Sequence, residues 1–179
     1  MNRTKPTLFV MVGLPASGKT ARAKQIEEEH RALRLTPDEW MIPLFDDNDA
    51  DGKRNVLEGR FIWLALRALS HGIDVVLDFG VWARVERTAL RALAAEAGAS
   101  SELIYLDVDE EEQRRRRDHR AAEESTTTFY IPDEDLDDYR RRFVPPDDDE
   151  LSGAELDSPP VGYLSWSAWA SEWWPTSIQ

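Results

Sequence analysis

Gly13-Leu-Pro-Ala-Ser-Gly18-Lys19-Thr20 has the spacing G-x-x-x-x-G-K-[ST] of a phosphate-binding loop. The six residues before it, Thr7-Leu-Phe-Val-Met-Val12, are apolar and partly β-branched, which predicts a short buried strand. The residues after it, Ala21 to His30, are good helix formers. Glycines let such a loop curl until successive backbone N–H groups point inward, and the helix that follows aims its positive dipole end at the same point. The candidate nucleotide contacts are therefore Gly13, Ala16, Ser17, Gly18, Lys19, Thr20 and Ala21. In such a loop Lys19 reaches the β- and γ-phosphates and the Thr20 hydroxyl holds Mg²⁺. ATP with Mg²⁺ is the expected ligand.

The 179 residues suffice for one α/β domain with a real core. With no cysteine, the chain has no disulfide framework, thiol nucleophile or thiolate metal site. No apolar run approaches membrane-spanning length and no secretory pattern opens the chain, so a cytoplasmic protein is expected. Subtracting 35 acidic from 22 basic side chains leaves a net charge of −13, which works against nucleic acid as a partner.

Leu33-Arg-Leu-Thr36 reads as a second brief strand, and Pro37-Asp38-Glu39 follows at once. Thr36 and Glu39 fit a capping box with proline at the first helical position, which leaves Asp38 at the carboxyl end of the strand. Open α/β sheets bind ligands there, and a carboxylate so placed can accept the proton of an attacking hydroxyl. Asp46-Asp-Asn-Asp-Ala-Asp-Gly52 imitates a calcium loop, with Glu58 six residues beyond the glycine. Its ligand register is broken, however, and an acidic surface loop is the expectation. Residues 55 to 71 carry an apolar helical pattern stopped by Gly72. Ile73 to Phe79 then reads as a buried strand carrying Asp78, a candidate second ligand of Mg²⁺ beside Thr20.

Residues 83 to 97 predict an amphipathic helix and residues 102 to 108 a further strand. Asp109 to Arg120 begins acidic and ends basic, as a helix dipole favours, and contains four consecutive arginines. Arg116 and Arg120 share a face at i, i+4, whereas Arg115 falls on the outer side. With the polar stretch 121 to 128 the segment reads as a lid over about 114–134 that brings Arg116 and Arg120 to the phosphates. His119 is expected to be solvated rather than a base. A short helix is predicted from Asp135, and residues 144 to 160 are acidic and proline-rich. Trp166, Trp169 and Trp173 form a helical stripe, followed by Trp174, that packs on the domain or else serves a homodimer or a substrate wall.

These motifs together resemble the P-loop kinases of the polynucleotide-kinase, zeta-toxin and chloramphenicol-phosphotransferase type over residues 7 to 143. That likeness implies a three-layer α/β sandwich with a parallel sheet in the order 2-3-1-4-5. It also implies that Asp38 activates the acceptor hydroxyl and that Arg116 and Arg120 serve the phosphates. Phe129-Tyr-Ile131 with Asp135 is similar to the post-lid segment of small bacterial members. The expected activity is ATP-dependent phosphorylation of a small-molecule hydroxyl, an antibiotic-like compound being one candidate. The alternatives are a polynucleotide end kinase and a nucleotide-dependent switch without acceptor chemistry. Residues 133–150 hold nine acids and three arginines, and residues 46–51 hold four aspartates and no base, so a field favouring a neutral or cationic acceptor is expected.

Overall fold

The computed structural model describes residues 5–47, 50–123 and 130–178. Strand β1 (Thr7–Val12) is buried from Leu8 onward and carries two cores on its two faces. Leu8, Val10 and Val12 point to one core, Phe9 and Met11 to the other, as the period of two requires. Helix α1 (Lys19–His30) covers the Phe9 face with Ala23 and Ile26. Helices α3 (Lys53–Ser70) and α4 (Arg84–Glu96) contribute Phe61, Ile62, Ala89, Leu90 and Leu93 to the opposite core. A sheet buried on both faces explains why its strands read as apolar runs without polar alternation.

The other strands are β2 (Leu33–Leu35), β3 (Val75–Leu77) and β4 (Ser100–Tyr105). All pairings are parallel and the order is β2-β3-β1-β4, with Phe9 opposite Val76, Val10 opposite Leu103 and Leu35 opposite Leu77. The α/β class and the first four places of the expected order are as anticipated. The fifth strand is not found among the described residues. After α5 (Glu110–Glu123) and α6 (Asp133–Arg142) the chain reaches Pro145 and Pro146, which have no N–H to donate to a ladder. A short helix, α7 (Asp148–Ser152), lies against β4 instead.

The segment after α6 is held by three arginines of α4 at i, i+3 and i+7. Arg87 is fully buried and bidentate to Glu150, with Nε to Oε1 and Nη2 to Oε2 both at 2.8 Å. Its Nη1 donates to the carbonyls of Val144 at 2.9 Å and Trp82 at 3.1 Å. Arg84 pairs with Asp147 and Asp157, and Arg91 donates to the Ala154 carbonyl. Beyond this strap, α8 (Trp166–Trp173) inserts Trp166 and Trp169 into the core, with Trp174 just past its end. Ser165 caps it by accepting from the Ala168 N–H. Trp173 alone of the four stays half exposed, stacked on Trp169 with its Nε1 donating to Glu86. The stripe expected to serve packing or a dimer is thus largely enclosed within its own chain. Among the described residues no helix is long and apolar enough to cross a membrane.

Candidate active site

The loop between β1 and α1 has the strained backbone that its glycines suggest. Gly13 has φ +149°, and a Cβ there would lie 2.6 Å from the Leu106 carbonyl oxygen and 2.8 Å from Ser17 Oγ. Gly18, at φ +99°, is the cap from which α1 departs, and Ala16 is left-handed despite its side chain. Ala21 lies in the first turn of α1. Lys19 turns back across the loop, donating from Nζ to the Leu14 carbonyl at 2.7 Å. Burial lowers its ammonium to about 8, although the carboxylates of Asp78 and Asp38 pull the other way.

Asp78 stands at the end of β3, almost fully buried, and its carboxylate accepts from the Thr20 hydroxyl. Burial pushes the Asp78 carboxyl above the usual carboxylate pKa; Thr20, Lys19 and Arg34 resist the shift. Two buried polar atoms here have no hydrogen-bond partner, Ser17 Oγ and Asp78 Oδ2. A hydroxyl in the loop and a carboxylate oxygen beside Thr20 are what a phosphate and its Mg²⁺ would use, so the residues fit that ligand.

Asp38 opens α2 (Asp38–Phe45), and its charge acts on both Lys19 and Asp78, so the ends of β1, β2 and β3 meet in one crevice. The expected capping box does not form. Glu39 is drawn instead to Arg34 Nη2 at 2.7 Å, and no side chain caps the helix. Arg34, from the middle of β2, also binds Glu27 at 2.8 Å and places Nη1 3.6 Å from Asp78 Oδ2. An arginine inside an apolar strand run was the visible signal for that cluster.

Two residues of α3 escape sequence reasoning. Arg54 donates from Nη1 to Asp38 Oδ1 at 2.9 Å and from Nε to Glu58 Oε1 at 3.1 Å. Glu58, the supposed end of a calcium loop, is buried and faces this guanidinium; Asn48 and Asp49 of that loop lie outside the described residues. Burial pushes the Glu58 carboxyl up to about 7, with Glu86 and Asp38 adding to the rise and Arg54 opposing it. Farther along, Trp82 packs on Tyr139 with ring centroids 5.0 Å apart, and the Arg142 guanidinium stands 5.5 Å from the Trp82 ring.

The arginine run of α5 divides by helical angle. Arg116 donates from Nη1 to the Ser17 carbonyl at 3.1 Å, directly on the phosphate loop. Gln113, fully buried one turn earlier, donates to the Pro15 carbonyl at 2.9 Å. Arg120 is exposed, yet its charge reaches Lys19. Arg114 and Arg117 face the other way and fasten α6: Arg114 binds Asp137 at 2.7 Å, and Arg117 binds Asp133 and the Ile131 carbonyl at 2.6 and 2.9 Å. Arg115 is exposed on Glu112, and His119 is exposed as well. Residues 124–129 of the expected lid, with Phe129, lie outside the described residues.

With this geometry the chain can be set beside known proteins. A comparison with curated protein sequences finds no match. Solved structures do match. Kti12 of Chaetomium thermophilum in complex with ADP-AlF3 shares 21% identity and a TM-score of 0.61, over 78% of this chain and 81% of that one. A putative kinase from Chloroflexus aurantiacus J-10-fl gives 16% and 0.62, over 88% and 81%. The Mycobacterium tuberculosis APS kinase in complex with AMPPNP and APS gives 18% and 0.58, over 94% and 95%. At these identities the likeness shows the fold, that of the P-loop kinases. The family described as AAA domain matches residues 8–146, most of the chain and all of the crevice just described. The chain belongs to this AAA domain family.

Proposed function

We propose that the chain is an ATP-dependent phosphotransferase that moves the γ-phosphoryl group of ATP to a hydroxyl of a small molecule. The observation that carries the reading is the convergence of Lys19, Asp78 and Asp38 at the ends of three neighbouring strands. A nucleotide-binding protein needs the first two; a carboxylate opposite them at the mouth of the crevice suits an acceptor. Asp38 takes the hydroxyl proton as the acceptor oxygen bonds to the γ-phosphorus. The bond from that phosphorus to the β–γ bridging oxygen breaks, and ADP leaves with the electron pair. Lys19 and the loop N–H groups hold the phosphates. Thr20 and Asp78 would hold Mg²⁺, which supplies positive charge across the β- and γ-phosphates when bound. Arg116 and Arg120 neutralise charge that develops during transfer. The matched structures include kinases, one of them bound to AMPPNP and APS, which agrees with this reading.

The acceptor stays a small hydroxyl compound, with an antibiotic one possibility. Much of the acid expected to attract a cation is paired inside the chain. Asp133 and Asp137 hold Arg114, Asp138 holds Arg141 and Arg142, Asp147 holds Arg84, and Glu150 holds Arg87. The test is Asp38→Asn, assayed as ATP consumption against a panel of hydroxylated compounds. Transfer should fall by about 10²–10⁴-fold, the usual worth of a positioned base, with ATP-induced thermal stabilisation retained. Undiminished transfer would remove Asp38 from the chemistry, and no transfer to any acceptor by the unmodified chain would favour a nucleotide switch.

A further inference from the structure

Asp38 does not face the crevice alone. Its Oδ1 accepts from Arg54, and the same guanidinium, through a different nitrogen, serves Glu58 one turn farther along α3. Two carboxylates therefore share one cation. They differ sharply in surroundings: half of the Asp38 side chain is open to solvent, whereas Glu58 is only 14% exposed. The charged groups facing Glu58 are Arg54 on its own helix, Glu86 on α4 and Asp38 on α2. Two acids and one base around a buried carboxyl leave its charge poorly compensated. The backbone beneath is firmly placed. Thr176 donates to the Val56 carbonyl at 2.7 Å and accepts through its own carbonyl from Arg60, and a Cβ on Gly59 would collide with Thr176 Oγ1 at 2.2 Å.

We propose that Glu58 is a positioning carboxylate for Asp38, its ionisation drawing the Arg54 guanidinium away and freeing Asp38 to act as base. The proposal rests on the reading of Asp38 as the base. While Glu58 is protonated it takes none of the guanidinium charge, and Arg54 holds the Asp38 carboxylate by their hydrogen bond. Once Glu58 ionises, it competes with Asp38 for that guanidinium, which leaves the Asp38 carboxylate freer to meet the acceptor. The burial that raises Glu58 to about 7 places this change near neutrality. The acid limb of the rate profile accordingly belongs to Glu58, although Glu58 itself never touches the acceptor.

Carbon-13 NMR titration of the carboxyl groups in the full chain reads the coupling without any acceptor. The Asp38 carboxyl resonance should show an inflection where Glu58 titrates. Glu58→Gln should erase that inflection, and Arg54→Met should reduce it to what the direct repulsion between the two carboxylates leaves. In parallel, basal ATP hydrolysis, with water as acceptor, should rise through the same pH in the unmodified chain and lose that limb in Glu58→Gln. An Asp38 resonance without that inflection, or with one that survives Glu58→Gln, overturns the proposal, as does an unaltered rate profile in that variant. Coupled NMR inflections together with unchanged hydrolysis in Asp38→Asn would instead overturn Asp38 as the base and leave the coupling standing.

Discussion

Arg87→Met tests how the strap is held to the domain. The native side chain is fully buried, bidentate to a Glu150 side chain only 3% exposed, and it also serves the Trp82 and Val144 carbonyls. Methionine keeps the volume of the stem but leaves a buried carboxylate without its cation, a loss of about 3–5 kcal/mol. Two carbonyls lose a donor as well; at about 1 kcal/mol or more each, and not additively, they place the effect toward the upper end. In a chain of this size each kcal/mol moves the midpoint by about 2–4 °C, so Tm should fall by on the order of 10 °C or more. The double variant Arg87→Met/Glu150→Met removes the stranded charge and should recover most of the loss, since buried pairs replaced by apolar groups are often neutral. Urea unfolding of the four proteins in the cycle gives the coupling directly. A cost below about 1 kcal/mol for Arg87→Met, or a double variant as weak as the summed singles, would refute the assignment of the strap to this pair.

The remaining expectations concern nucleotide binding. Bound phosphate should raise the Lys19 ammonium from about 8 toward its ordinary value. Nucleotide affinity is then fully present below pH 8 and falls by up to about tenfold per pH unit above it, a limb absent in Lys19→Ala; a flat affinity from pH 7 to 10 by calorimetry would contradict this. Arg116→Ala and Arg120→Ala should lower turnover more than they weaken nucleotide affinity, whereas Arg115→Ala, on the outer face, should leave both unchanged. Equal effects from all three variants, measured as kcat and nucleotide Kd, would reduce the run to a solvated helix.

The phosphate loop was legible because its signals are local: one apolar run, two glycines at fixed spacing and a helix-forming stretch. The division of the arginine run was legible for the same reason, since helical angle alone separates Arg115 from Arg116. The Glu39 assignment failed because a tertiary partner, Arg34, competed with the local cap and won. Arg54 and Glu58 were hidden because their meaning depends on α2 and α3 meeting across residues 46–52, which no local pattern encodes. Among the described residues no fifth strand forms, and Pro145 and Pro146, whose missing donors are readable in the sequence, stand where the chain passes the sheet edge. The tryptophan stripe was visible as a helix, but its burial against α4 depends on the whole strap between them.

One consequence follows for selection of the acceptor. Within a net charge of −13, Asp133, Asp137, Asp147 and Glu150 of the acidic stretch 133–150 are counter-ions to Arg114, Arg84 and Arg87. Paired charges at hydrogen-bond distance cancel beyond a few ångströms, and salt screens what remains within about 8–10 Å. Pairing and salt therefore weaken steering by that stretch, while the excess of acids over bases in the whole chain remains. On the proposed reading, selection by contact would rest on the Asp38–Arg54–Glu58 group in the crevice. Trp82, with Tyr139 packed on it, is fixed by the strap, because its carbonyl accepts from both Arg87 Nη1 and the Val144 N–H.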